Sequence, residues 1–139
     1  MKVVKHPKLQ QLGWNRQVLS LDDFYNACER ERVVVFDAPM RELGAFFYRR
    51  RRPCIALNER LRGHTRTRVA WHEFAHFLWH VPGDYGHPDK TEYEADIIAT
   101  CALIPAFLLN LPDGEIAEMF GYSRELIRLR VEIFKYVGV

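Results

Sequence analysis

Apolar and polar positions follow two rhythms along this chain. Between residues 33 and 58 the apolar residues come in short β-branched and aromatic runs: VVVF (Val33 to Phe36), then GAFFYRR, then PCIALN. Runs of that length, closed by Asp37-Ala38-Pro39 and by other turn residues, predict strands. GAFFYRR and PCIALN lie on either side of Arg51-Arg52-Pro53 and predict a hairpin with an arginine-rich turn. A small three-stranded antiparallel sheet is therefore expected.

Helical spacing frames this sheet. Ser20 with Asp23 predicts an N-cap, opening a short helix that runs to about Arg30. After the break at Gly63 a helix is expected from Thr65 or Thr67 through His80, where Pro82-Gly83 stops it. Beyond the loop VPGDYGHPDK, Asp89 or Thr91 can cap the helix TEYEADIIATCALI, which Pro105 ends before PAFLLNL. Two more helices close the chain: GEIAEMF, capped by Asp113 and stopped at Gly121, and SRELIRLRVEIFKYV, capped by Ser123. The fold class expected is α+β, with the sheet packed on the histidine-bearing helix and on a C-terminal helical bundle.

The chain has 139 residues, 48% of them apolar and 13% aromatic, enough for one ordinary domain with a buried core. Within it, residues 1–15 read as a loose tail, 20–110 as the catalytic core and 112–137 as a helix-turn-helix-like pair. No apolar run approaches the ~18–20 residues needed to cross a bilayer, and the N-terminus has no apolar stretch like a signal peptide. A cytosolic protein without a membrane partner is expected. Cys28, Cys54 and Cys101 are odd in number and lie in apolar segments, which predicts buried free thiols.

A net charge of +2 conceals an asymmetry: Arg41 to Arg68 holds nine arginines against Glu42 and Glu59, while Asp84 to Glu118 holds eight acids against Lys90. A basic half can face nucleic acid or an acidic partner, or can simply be solvated.

The chemistry concentrates in WHEFAHFLWH, Trp71 to His80. His72 and His76 are four apart, so on a helix both rings can reach one cation. Glu73, one position round, is placed to act on a water as a general base. His80 lies two turns from His72, roughly 12 Å along the axis, too far to share the ion. A better third ligand is Glu92, with Asp96 one turn later on the same face, where it can accept the outer N–H of His72. Glu94, two residues round, should face solvent.

HEFAH with Glu92-x-x-x-Asp96, the TEYEADIIATCALIP helix, and PCIALNERLRGHTRTRVAWHEFAH before it resemble the ImmA/IrrE metallopeptidase family from about Val33 to the C-terminus. Two departures stand out: Asp96 replaces the usual asparagine, and Phe74-Ala75 replace leucine-glycine. The resemblance implies His72, His76 and Glu92 as metal ligands, Glu73 as base and Asp96 behind the ligands. Zinc is the expected ion, with manganese as the alternative. His80, Tyr85 and His87 are the candidates to assist the substrate or its oxyanion, and Cys54 to Asn58 the candidate strand to hold an extended substrate. The implied partner is a protein substrate, a helix-turn-helix transcriptional repressor cut to relieve repression.

IAEMFGYSRELIRLRV has the spacing of a helix-turn-helix, with Arg124, Arg128 and Arg130 on its second helix. Glu115 and Glu118 on the first would face phosphates badly, so direct DNA contact is the weaker expectation. It underlies the alternative reading of a DNA-binding or scaffolding regulator with a structural or inactive metal site.

Overall fold

The computed structural model describes residues 6–79 and 88–139, which form two compact units. One is Ser20–Ala99; the other is built from the chain on either side of it. No described helix is long and apolar enough to cross a membrane.

In Ser20–Ala99, the first helix of the unit, α2 (Leu21–Arg30), follows a short helix α1 (Pro7–Leu12) of the other unit. Ser20 and Asp23 close α2 as a capping box: the Ser20 hydroxyl accepts from the Asp23 N–H at 3.0 Å, and the Asp23 carboxylate accepts from the Ser20 N–H at 2.8 Å. This satisfies N–H groups that the first helical turn leaves bare, and it points Phe24, Ala27 and Cys28 inward.

Strands β1 (Val34–Ala38), β2 (Gly44–Arg49) and β3 (Arg52–Asn58) lie in the order β1-β3-β2. The expected hairpin is present, with β2 antiparallel to β3 and Arg49 opposite Arg52. The expectation of a purely antiparallel sheet is corrected, because β1 runs parallel to β3. A parallel neighbour needs a crossover, and here β2 itself supplies it. Residues 39–43 carry the chain over the end of β3, from one edge of the sheet to the other. Asn58 pins that passage, its side-chain NH2 donating to Met40 O at 2.8 Å and Glu42 O at 3.1 Å.

Ile55 and Leu57 on the central strand are fully buried, and α3 (Gly63–Trp79) packs against β2 and β3. Phe46 meets Phe77 edge-on at 6.1 Å, while Phe24, Trp71 and Phe74 form a cluster of edge-to-face rings 5.3–6.4 Å apart. Burying Phe24, Trp71 and Phe74 supplies much of the apolar transfer energy that holds α3 in place. The helix thereby presents Arg68, His72 and Glu73 to a cavity. α4 (Pro88–Leu103) begins earlier than expected and carries Glu92 in its second turn and Asp96 one turn later.

In the other unit, α1 lies inside the stretch expected to be a loose tail, and Leu9, Leu12 and Trp14 are buried. Six helical residues are too few to show a periodic pattern, which is why the sequence hides them. α5 (Asp113–Phe120) and α6 (Arg124–Val137) form the expected bihelical pair, with Gly121 left-handed at the end of α5. Ser123 caps α6 as expected, accepting from the Leu126 N–H at 3.2 Å. Asp113 is not a cap: it sits in the first turn, and Pro112 precedes it without a side-chain bond.

Arg130 differs most from expectation. It is fully buried, donating to Ile104 O at 2.5 Å, Val139 O at 2.7 Å and Asn15 Oδ1 at 3.0 Å, and so is unavailable to DNA. Leu126, Ile127 and Ile133 share its buried stripe, so the helix offers the position to the core, where Nε and one terminal nitrogen of the guanidinium find oxygen acceptors and the other terminal nitrogen finds none among the described residues. Arg124 and Arg128 remain exposed.

Candidate metal centre

His72 and His76 stand one turn apart on α3 and turn the same ring atom to the same point: their Nε2 atoms are 3.2 Å apart. Glu92 reaches over from α4, placing Oε2 3.0 Å from His72 Nε2 and Oε1 2.8 Å from His76 Nε2. One donor atom from each residue falls within 4.8 Å of the others. A tetrahedral ion with bonds of about 2.0–2.1 Å would need donor–donor edges of about 3.3 Å. The observed edges differ from that by only a few tenths of an ångström. Two imidazole nitrogens and a carboxylate are also the donor types that zinc accepts, so the three residues fit a divalent cation.

The set is oriented from behind. Asp96 Oδ1 lies 2.9 Å from His72 Nδ1, which assigns the ring proton to Nδ1 and leaves the Nε2 lone pair facing the other two donors. Burial opposes protonation of His72, yet the hydrogen bond to Asp96 and the charges of Glu73, Asp96 and Glu92 outweigh it, so the pKa is raised. A site that attracts a proton this way also attracts a cation.

Glu73 points elsewhere, as its helical position requires. It is 7% exposed, and burial raises its carboxyl to about 7, against the lowering pull of His72 and with a small push from Glu92. A carboxyl poised near neutrality can both take and return a proton. Its room comes from Gly44 of β2: a Cβ there would lie 2.8 Å from Val69 Cγ1 and 3.1 Å from Glu73 Cγ.

His72, Glu73, Glu92 and Asp96 line one cavity of about 400 Å³, together with Leu43, Gly44, Thr65 and Arg68. Leu43, Gly44, Thr65 and Arg68 escaped the sequence reading. For Arg68 a signal existed, since it lies four residues before His72 on the same helical face. Leu43 ends the passage that crosses the sheet, Gly44 opens β2, and neither carries a sequence signal of its own.

The structure thus brings together His72, His76, Glu92, Glu73 and Asp96. His80, Tyr85 and His87 lie outside the described residues. Glu94, expected to face solvent, is half-buried. The strand expected to hold an extended substrate, Cys54 to Asn58, is β3, whose two edges are taken by β1 and β2. The free edge nearest the cavity belongs to β2, whose first residue is Gly44.

Residues 28–139 match the family model described as the IrrE N-terminal-like domain, a peptidase family. No curated protein and no solved structure matches the chain.

Proposed function

We propose that this chain, which belongs to the IrrE N-terminal-like family of peptidases, is a zinc-dependent endopeptidase that cuts a helix-turn-helix transcriptional repressor and so relieves repression. The observation that carries the reading is the convergence of His72 Nε2, His76 Nε2 and the Glu92 carboxylate beside a buried Glu73. An acid in that position has no use in a purely structural site.

His72, His76 and Glu92 would hold the ion, zinc before manganese. When bound, it supplies Lewis acidity, making a water acidic near neutral pH and polarising the scissile carbonyl. The chain's own groups do the rest. Glu73 takes the proton of the attacking water and returns it to the departing amine nitrogen, a transfer for which a carboxyl near pH 7 is matched. Asp96 keeps the His72 ring in one tautomer and orientation. Arg68, on the cavity wall, offers a fixed positive charge to the substrate's carbonyl or carboxylate oxygens. The outer edge of β2 holds an extended substrate by main-chain hydrogen bonds.

The repressor rests on the family likeness. Purified protein with zinc, incubated with the repressor encoded beside it, should yield two fragments. Glu73→Gln with zinc still bound should leave the repressor intact. Cleavage that persists both in Glu73→Gln and in metal-free protein would reject the mechanism.

A further inference from the structure

The sheet has a second face, turned away from α3. Alternation along the strands places Val34 and Phe36 of β1, Cys54 and Ala56 of β3, and Ala45 and Phe47 of β2 on it, and the register sets Val34, Cys54 and Phe47 in one row. The small residues fill the centre and the large ones stand on either side. Val34, Phe36 and Phe47 are 40%, 42% and 36% exposed, with the two rings edge to face at 6.0 Å. Beside them is a cavity of about 410 Å³, floored by Val34, Phe36 and Cys54 and rimmed by Arg49, Arg50 and Arg52.

Two features mark this face as more than a solvated surface. First, Arg50 and Arg51 occupy the two central positions of the β2–β3 turn at φ of 50° and 67°. Such a turn favours Asn-Gly, and a long side chain there is strained. Arginines stand where the backbone prefers other residues, and among the described residues no carboxylate pairs with any of Arg49 to Arg52. Second, β1 is an edge strand whose one charge, Asp37, is paired with Arg66 of α3 at 2.6 Å; it has no Lys, Pro or bulge to guard it, and among the described residues no strand pairs with its outer side. Unguarded apolar edges are templates for strand addition.

We propose that this face is a docking site for an extended acidic peptide segment of a partner protein, paired along β1, with an apolar side chain in the cavity and carboxylates on Arg49 to Arg52. Charge complementarity selects the acid, and the arginine fork binds carboxylates in pairs. The open edge selects a polypeptide over a nucleic acid strand, because only a polypeptide can use the unpaired main-chain groups of β1. The perpendicular ring pair likewise offers no ladder of parallel faces on which successive bases would stack. The site is separate from the metal centre and does not depend on the peptidase reading.

Fluorescence anisotropy with the full chain carrying Glu73→Gln, so that no probe is cut, tests this. The probe is a labelled peptide alternating Glu with Val and Phe; the controls are the same peptide with Lys for Glu, and labelled oligothymidylate. Saturable, salt-sensitive binding of the Glu peptide alone is expected. The double variant Arg50→Asn/Arg51→Gly keeps the turn and removes two charges, so its thermal melting should hold or rise while affinity falls about tenfold. Phe36→Ser, checked by the same melt, should weaken binding comparably. No saturable binding, equal affinity for the Lys peptide, unchanged affinity in Arg50→Asn/Arg51→Gly, or tighter binding of oligothymidylate would each overturn the proposal.

Discussion

Gly44 and Glu73 are in close approach: a Cβ on the first would lie 3.1 Å from Cγ of the second. Glu73 therefore owes its position to an absent side chain on a neighbouring strand. Gly44→Ala must push Glu73 or Val69 aside. Displacement of a catalytic group by about 1 Å can cost ~100-fold, so kcat should fall 10- to 100-fold, roughly, while zinc content stays at one per chain. Elemental analysis alongside peptidase assay checks this; an unchanged kcat would mean that Glu73 is not positioned by this contact.

Glu73→Gln removes the proton acceptor but keeps the shape. Loss of a general base typically costs ~100- to 10,000-fold, and that range is expected for repressor cleavage with metal retained. Glu92→Gln should differ in kind, losing activity through loss of the metal, which a zinc titration will distinguish.

Metal removal should lower stability as well as activity. A ligand present at ~1,000 times its Kd stabilises the folded state by about 4 kcal/mol. Calorimetry before and after chelation should show a lower Tm without metal, restored by zinc; identical melting curves would argue against a site made by these three residues.

All three cysteines are free and buried. Burial pushes the Cys28 thiol up to about 12 and the Cys101 thiol to about 11, with Arg130 pulling weakly against the latter. Thiolate is the reactive form, so both should be almost wholly protonated at pH 8. A maleimide reagent at that pH should label the native chain slowly and the denatured chain at three sites, counted by mass.

Among the described residues no Asp or Glu pairs with Arg130, yet it bonds Ile104 O, Val139 O and Asn15 Oδ1 from inside the core. Arg130→Ala takes the donor from Ile104 O and opens a cavity, while Asn15 Oδ1 keeps the Ala106 N–H and Val139 O keeps the Asn15 side-chain NH2, at an expected cost of about 2–4 kcal/mol. Chemical denaturation measures it. Exposed Arg128→Ala should change stability by less than about 0.5 kcal/mol.

The candidate metal centre was readable because its information is local. His72 and His76, and Glu92 and Asp96, are two pairs at helical spacing, and each pair needs only that its own segment be helical. The strands and the hairpin were readable for the same reason. The direction of β1 was not, since it depends on where residues 39–43 travel, and the Asn58 amide that pins them acts across the sheet. Leu43 and Gly44 reach the cavity by that route and were missed with it. Arg130 stood at a core position of an amphipathic helix, but its charge argued for the surface. Only the carbonyl oxygens waiting for it, from distant parts of the chain, decide otherwise.

The two donations from Asn58 make the protein's lifetime hang partly on one amide. Slow hydrolysis of that side chain would replace a double donor by an anion facing two carbonyl oxygens, and the passage from β1 to β2 would be driven off the sheet. That passage ends at Gly44. An ageing sample would accordingly loosen one wall of its cleft while its helices stayed intact.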